Sequence, residues 1–439
     1  MILWNLPKRL AFRFFAVYLT LIIVTSQMLP SLLVIPGIRI SQIDQNSGTI
    51  RDARTWVATN VLRFSTQISN RESGSGDRPY DWAFYFLLLM TSVAVTAAWS
   101  LLDRRRPNYI NQQKWFRLFL RFALGATLAS YGMAKAIPLQ MPYPNLTRLL
   151  TPYGHFSLQD VLWAQVGASP VFGMLTGIVE LAIAVLLFVP RLTLLGALAS
   201  LIATSFVFML NMTYDIAVKL FSFHLVLMSL VLLAPDLRRL LNVLVLNRPT
   251  APAVNPPLVN GRITRRIVVC AQLALGAWLL WTNFNSDIEV YRARGPYAPK
   301  PPLYGIWNVE TMTVDGQIRM PLISDNERWR RVVVQGALPI RISFQRMDDT
   351  FSHYAANVDI QAKTITLTPV VPPGRASDGR HASLVAQLTF QRASPERLIL
   401  DGRREGKHLR LELKYHDRSN FELVRSGFHW FLDAPVNNP

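Results

Sequence analysis

The sequence predicts a polytopic α-helical membrane protein of about seven spans, followed by an all-β C-terminal extracytoplasmic domain. Three observations predict it. Hydrophobic residues make up 51% of the 439-residue chain and charged residues only 17%, whereas soluble domains carry about a quarter charged. Apolar stretches of near-spanning length, roughly 20 residues, recur as far as Asn283. From about Leu303 onward the apolar period falls to two, the period of strands. The domains expected are 1–113, two spans with an outer loop; 114–249, a four-span bundle; 250–302, a seventh span and a proline-rich linker; and 303–439, an antiparallel β domain.

The expected spans are Leu10–Ile35, Trp82–Leu102, Trp115–Ile137, Val171–Val189, Leu192–Leu210, Ala217–Leu233 and Ile267–Asn283. Lys8 and Arg9 precede the first, as in a signal peptide. Its length and the lack of a small-x-small cleavage site favour a retained anchor. Lys8, Arg9 and Arg13 flank span one on its N-terminal side, and Arg104, Arg105, Arg106 and Lys114 join spans two and three. Arg238, Arg239, Arg248, Arg262, Arg265 and Arg266 join spans six and seven, while Pro138–Pro170 holds only Arg148. The positive-inside rule then puts the N-terminus inside and the β domain outside, in the periplasm of a bacterial inner membrane. The six arginines of Pro36–Tyr80, an outer loop, run against that orientation.

The formal net charge of +19 is topogenic and headgroup-directed on this reading. The basic residues are split among loops and strands with no single stripe, which argues against nucleic acid. Within the first outer loop, Ile50, Ala53, Val57, Val61, Phe64 and Ile68 share a helical face, opposite Arg51, Arg54, Asn60 and Arg63. This is an amphipathic helix, lying on the membrane surface or packed on the spans.

In the C-terminal part, "RISF", "TITLT", "SLVAQLTF", "RLILDG", "HLRLELKY" and "NFELVRSGF" alternate apolar and polar residues. They predict a meander of about seven to nine strands, closed as a barrel or paired as a sandwich. The opening "LYGIWNVE" resembles the Gly-x-Trp of lipocalin-like barrels, where the tryptophan plugs one end. A filled interior is favoured over a hollow one.

Polar residues in the bundle collect toward one end. Tyr131 and Lys135 lie one turn apart near the outer end of span three, and Gln140 follows. Glu180 lies ten residues into span four, about 15 Å along the axis. Asn211, Asp215, Lys219 and His224 occupy the outer turn and start of span six. The inner halves of these spans read as almost purely apolar. A carboxylate at such depth demands a partner or a proton; Lys135 and Lys219 are the candidates. Gly173 and Gly177 place that face against another helix. Asp215 and Lys219 are spaced to pair along one helix. Glu180, His224 and Lys219 are the candidate reactive groups. His224 is the one histidine within the spans, so a paired-ligand haem or copper centre is not expected. The single cysteine, Cys270, excludes an intrachain dithiol, and no metal motif is present.

The segment from about Arg121 to Pro249 resembles the DoxX family of four-span membrane proteins. The strings that carry this are "YGMAKAIPLQMPYPNLTRLLTPYGHFS", "LWAQVGASPVF", "GIVELAIAVLLFVPRLTLLGAL" and "LNMTYDIAVKLFSFHLVLMSLVLLAPDLRRLL". "GSGDRPYDW", "WSLLDRRRPNY" and "SGFHWFLDAPVNN" are similar to flanks of long members. Gln140-Met141-Pro142 and "YDIAVK" depart from that pattern, which has an aromatic after the glutamine and a proline at 217. The resemblance implies a DoxX-like bundle core in a redox-associated or quinone-interacting subunit, with an oxidoreductase partner in the bilayer. Its ligand set is then Tyr131, Lys135, Gln140, Glu180, Asn211, Asp215, Lys219 and His224. A non-enzymatic envelope scaffold whose β domain binds a protein or lipid is the alternative. A transporter ranks third, since no inverted repeat or broken-helix pair is visible.

Overall fold

The computed structural model describes residues 3–35, 47–64, 77–252, 257–336, 340–370, 384–427 and 430–431. The helices are α1 (Leu6–Thr25), α2 (Met28–Leu32), α3 (Gly48–Trp56), α4 (Pro79–Leu102), α5 (Ile110–Ala136), α6 (Leu146–Leu150), α7 (Leu158–Ala168), α8 (Pro170–Phe188), α9 (Thr193–Thr213), α10 (Lys219–Leu233), α11 (Leu237–Leu244), α12 (Arg262–Arg294) and α13 (Glu422–Arg425). The strands are β1 (Gly305–Val314), β2 (Gln317–Ile318), β3 (Trp329–Gln335), β4 (Ile340–Arg346), β5 (Phe351–Asp359), β6 (Thr364–Pro369), β7 (Ala386–Ser394), β8 (Arg397–Arg404) and β9 (Lys407–His416). The chain forms two compact units. One comprises Met1–Met141 and Pro170–Glu289, the other Pro142–Ser169 and Val290–Pro439. These cut across the division expected at 249 and 302.

Among the described residues, five helical segments are long and apolar enough to cross a membrane: Pro79–Leu102, Pro170–Phe188, Pro190–Thr213, Lys219–Leu244 and Arg262–Arg294. Helices α1 and α5 have the length, at 20 and 27 residues. They carry more charge: Lys8, Arg9 and Arg13 in one, Lys114, Arg117, Arg121 and Lys135 in the other. The first expected span is broken. Ser26 adopts φ −108°, ψ 176°, which ends α1, and α2 restarts the helix. The last helix is longer than expected, 33 residues or about 50 Å. It absorbs the start of the expected linker.

Helices α5, α8, α9 and α10 touch in ring order, with α10 returning to α5, and α1 packs on α4. Small residues set the closest approach. A Cβ on Gly177 would come within 2.3 Å of the Ala136 backbone nitrogen, and one on Gly132 within 2.9 Å of the Gly177 carbonyl. Helix α3 confirms part of the amphipathic segment and passes into a wider turn at Val57–Val61; Ile68 lies outside the described residues. Arg54, expected on the polar face, is buried. Its guanidinium lies 3.5 Å from the Tyr80 ring centroid and 3.3 Å from Asp81.

In the second unit the strands follow one another antiparallel, and β1 pairs with both β3 and β9. The eight strands β1 and β3–β9 thus close a barrel, with β2 a short extension on β1. The turn Glu405–Gly406 has positive φ at both residues, 51° and 86°, which suits a tight hairpin. The inward set, including Val332, Phe344, Leu367, Leu388, Leu400 and Leu411, fills the interior. Trp307, near the start of β1, is 1% exposed and donates Nε1–H to the Leu303 carbonyl at 3.0 Å. Gly305 sits at φ +146° where a Cβ would strike the Tyr415 ring at 2.6 Å. "NFELVRSGF", expected as a strand, instead forms a short 3-10 turn and α13. The β1–β9 ladder already seals the sheet, so no edge is left for it.

The outer face of β1 and β3 is buried too. Leu146 and Leu150 of α6 cover Ile306 and Val333. Gln335 accepts from the Leu146 N–H at 3.1 Å and donates to Thr147 Oγ1 at 3.1 Å; Gln345 donates to the Leu150 carbonyl at 3.3 Å. The segment 142–169, expected as a plain loop, is therefore part of the barrel unit.

Candidate functional site

Helix α5 ends at Ala136, and the glycine contact brings α8 against this last turn. Lys135 points across it. Its Nζ donates to both carboxylate oxygens of Glu180, at 2.6 and 2.7 Å. Glu180 is 7% exposed and Lys135 is half-buried. Gly177 packs level with Ala136 and Glu180 beside Gly132, so Glu180 lies about one turn, roughly 5 Å, inside the end of α5. Counting residues along α8 alone put it deeper. The pair satisfies both charges at short range, the condition for an ion pair to persist away from water.

One turn before Lys135, the Tyr131 hydroxyl accepts a hydrogen bond from Gln27 Nε2 at 2.7 Å. The ammonium of Lys135 lies 5.8 Å from the Tyr131 ring centroid. Among the described residues, no acceptor for the phenolic proton lies within hydrogen-bond reach. Tyr131 also tilts against Phe221 of α10, centroids 6.0 Å apart. Gln140 lies in the turn closing α5, its backbone N–H bonded to the Ala134 carbonyl at 3.0 Å.

The remaining expected residues form separate local sets. Lys219 pairs with Asp215, four residues earlier, at 2.7 Å, not with Glu180. Asp215 is exposed, at φ 50° in the turn before α10. Asn211 donates to Ser222 Oγ at 3.0 Å, tying α9 to α10. His224 is 2% exposed. Its Nδ1 lies 2.6 Å from the Leu220 carbonyl, which only accepts, so Nδ1 carries a proton. Its Nε2 then accepts from Tyr18 Oη at 2.8 Å. The ring stacks on Tyr85 at 5.0 Å. Both nitrogens of His224 are engaged by the fold. Lys219 is likewise committed to Asp215.

Several residues were missed. Asp77 accepts from the backbone N–H groups of Lys219 and Leu220 at 2.5 and 3.0 Å. A carboxylate there suits a helix N-terminus, but it comes from 142 residues away and leaves no local signal. Gln27, Tyr18 and Tyr85 sat inside apolar runs. The inner halves are not purely apolar either. Arg121 is 6% exposed on α5, donating to Thr193 Oγ1 at 3.0 Å and to Gln272 Oε1. Arg117, one turn earlier, reaches Asp236 at 3.4 Å. Among the described residues, no group of three or more His, Cys, Asp or Glu side chains is placed to hold a metal ion.

Near Gln27, Thr25 lines an apolar groove of about 380 Å³ with Ile50, Ala53, Phe84, Leu88 and Thr91. Comparison of the chain with family models, curated proteins and solved structures gives no match.

Proposed function

We propose that the chain is a membrane subunit that holds a quinone or similar lipophilic acceptor at the Tyr131–Lys135–Glu180 cluster, in the outer half of a seven-span membrane domain. The observation that carries this reading is the uncommitted phenolic proton of Tyr131 beside a buried ammonium–carboxylate pair. A quinone headgroup needs a proton donor and a nearby cation at its carbonyl oxygens. Tyr131 offers the first and Lys135 the second. Glu180 sets the position of Lys135 and is placed to take up a proton released there. The apolar groove that begins two residues from Gln27 has the character an isoprenoid tail requires. A bound quinone supplies the electron chemistry; the residues named here bind, orient and move a proton. An oxidoreductase partner in the bilayer supplies the electrons on this reading. The resemblance to the DoxX family, which rests on the quoted strings alone, points the same way; on this reading the chain lies in an inner membrane with its β domain in the periplasm.

The test is organic extraction of protein purified from native membranes. Quinone should accompany the wild-type chain and be lost from Tyr131→Phe, which removes only the proton donor. Wild-type protein free of quinone would refute the proposal. A second reading, a non-enzymatic envelope scaffold, is favoured by the full engagement of His224 and Lys219, which leaves fewer groups for proton transfer. Capture from membranes separates the two: a redox enzyme retained with the chain supports the first reading, a transport or cell-wall component the second.

A further inference from the structure

We propose that the open end of the β barrel binds a small amphipathic anion, a carboxylate or phosphate monoester on a short apolar chain. A cavity of about 230 Å³ lies there, between β1, β3, β4, β5, β8 and β9. That volume equals about eight water molecules' share of the liquid, room for a ligand of similar heavy-atom count. Trp307 lies near the start of β1, toward the opposite end from this cavity, which the end of β1 lines.

The lining has two characters. Inside are Trp329, Met312 and Leu409, all buried. Trp329 stacks on Phe344 with ring centroids 4.0 Å apart, which fixes it as a flat apolar floor. At the rim stand Arg346, Arg404 and Lys407 against Glu327 and Glu405. Both acids are engaged: Glu327 binds Arg319 at 2.6 Å, and Glu405 meets Arg404 at 3.4 Å. Among the described residues, Arg346 and Lys407 have no carboxylate within 4.0 Å; Arg346 reaches only Thr350 Oγ1, at 3.4 Å. The Arg404 guanidinium lies 4.9 Å from the Trp329 ring centroid, and its buried Nε has no hydrogen-bond acceptor. Among the described residues, two cations outside any close ion pair and one unmatched donor surround an apolar floor. An anionic head completes the rim with charge-assisted bonds, and its apolar arm covers Trp329. A neutral alcohol of the same size gains only the second contact.

The test uses the full chain in lipid nanodiscs with three soluble probes: hexanoate, butyl phosphate and hexanol. Binding is read by saturation-transfer NMR on the probes, with empty nanodiscs as blank. Saturable binding of at least one anion, undisturbed by excess hexanol, is expected. The carboxylate and phosphate arms show which head the rim prefers. Arg346→Gln/Arg404→Gln should weaken the binding about tenfold or more. Lys407→Gln, an exposed change that leaves the core intact, should weaken it less. Arg330→Gln, outside the cavity and paired with Asp349, should leave it unchanged. The proposal fails if neither anion saturates, if hexanol competes equally, or if Arg330→Gln weakens binding as much as the rim variants.

Discussion

Lys135 and Glu180 illustrate how one residue's meaning depends on its neighbour. A lone carboxylate in a helix of such hydropathy is untenable as a charge; held at 2.6 and 2.7 Å by one ammonium, it becomes stable. Removing one partner leaves the other buried and uncompensated, at a cost of about 3–5 kcal/mol, whereas replacing both by apolar residues is often neutral. Glu180→Gln should therefore lower the thermal unfolding midpoint in detergent sharply, and Lys135→Leu/Glu180→Leu should restore most of it. A double variant as unstable as the single one would show that the pair is not the coupled unit. The sequence named Glu180 and its candidate partners because charge in an apolar run is conspicuous. The sequence also named His224, whose Tyr18 and Leu220 contacts are set by packing and leave no sequence signal. It passed over Arg121, which looked like one more basic residue near a span end. Its acceptors, Thr193 and Gln272, are neutral and distant in the chain.

At the level of elements, period was a sound guide and boundaries were not. The two-residue alternation of β6, β8 and β9 was visible because each has one wet face. The run Val332–Val334 of β3 is buried on both faces, and what covers its outer face, α6, lies far upstream, with Leu146 189 residues before Gln335, and carries no strand or helix periodicity of its own. That covering segment depends on an ion pair. Arg148 Nη2 donates to Asp160 at 2.7 Å, and Ser157 caps α7 through the same aspartate. The Arg148 hydrogen bond, aided by Ser157, holds the Asp160 carboxyl below the usual carboxylate range. A depressed folded-state value means the unfolded chain binds the proton more readily. The stabilisation is thus whole above the ordinary value of about 4 and disappears as pH falls through the folded-state value. Amide exchange within 146–168 should accelerate below about pH 4 in the wild type. Arg148→Gln should show faster exchange already at neutral pH and a flatter acid response. An acid response unchanged by Arg148→Gln would mean that another group controls this segment.

For the whole molecule, connectivity constrains topology more tightly than hydropathy does. Segments 142–169 and 290–439 belong to one compact unit, although α8 to α12 intervene. If α8, α9, α10 and α12 each cross the bilayer once, the chain makes an even number of passages and returns to the side it left. These are four of the five segments long and apolar enough to cross. The positive-inside rule reached the same parity independently, from arginines between α11 and α12 and their near absence before α8. Helices α1 and α5, expected as spans, stand outside those five, though packing buries part of their charge: Arg13 is 2% exposed against Tyr109 and Ser100. Cysteine labelling tests the parity directly. With Cys270 replaced by serine, single cysteines at Gly154, Arg248 and Glu396 sample three segments separated by three passages and then one. Gly154 tolerates the change, since an added Cβ meets nothing within 4 Å. A membrane-impermeant maleimide applied to intact cells should label positions 154 and 396 together, and position 248 only after the membrane is opened. Labelling of 154 and 248 from the same side would remove one passage among α8, α9 and α10. The barrel unit would then need its two segments to meet by some route other than four crossings, which its single compact core does not allow.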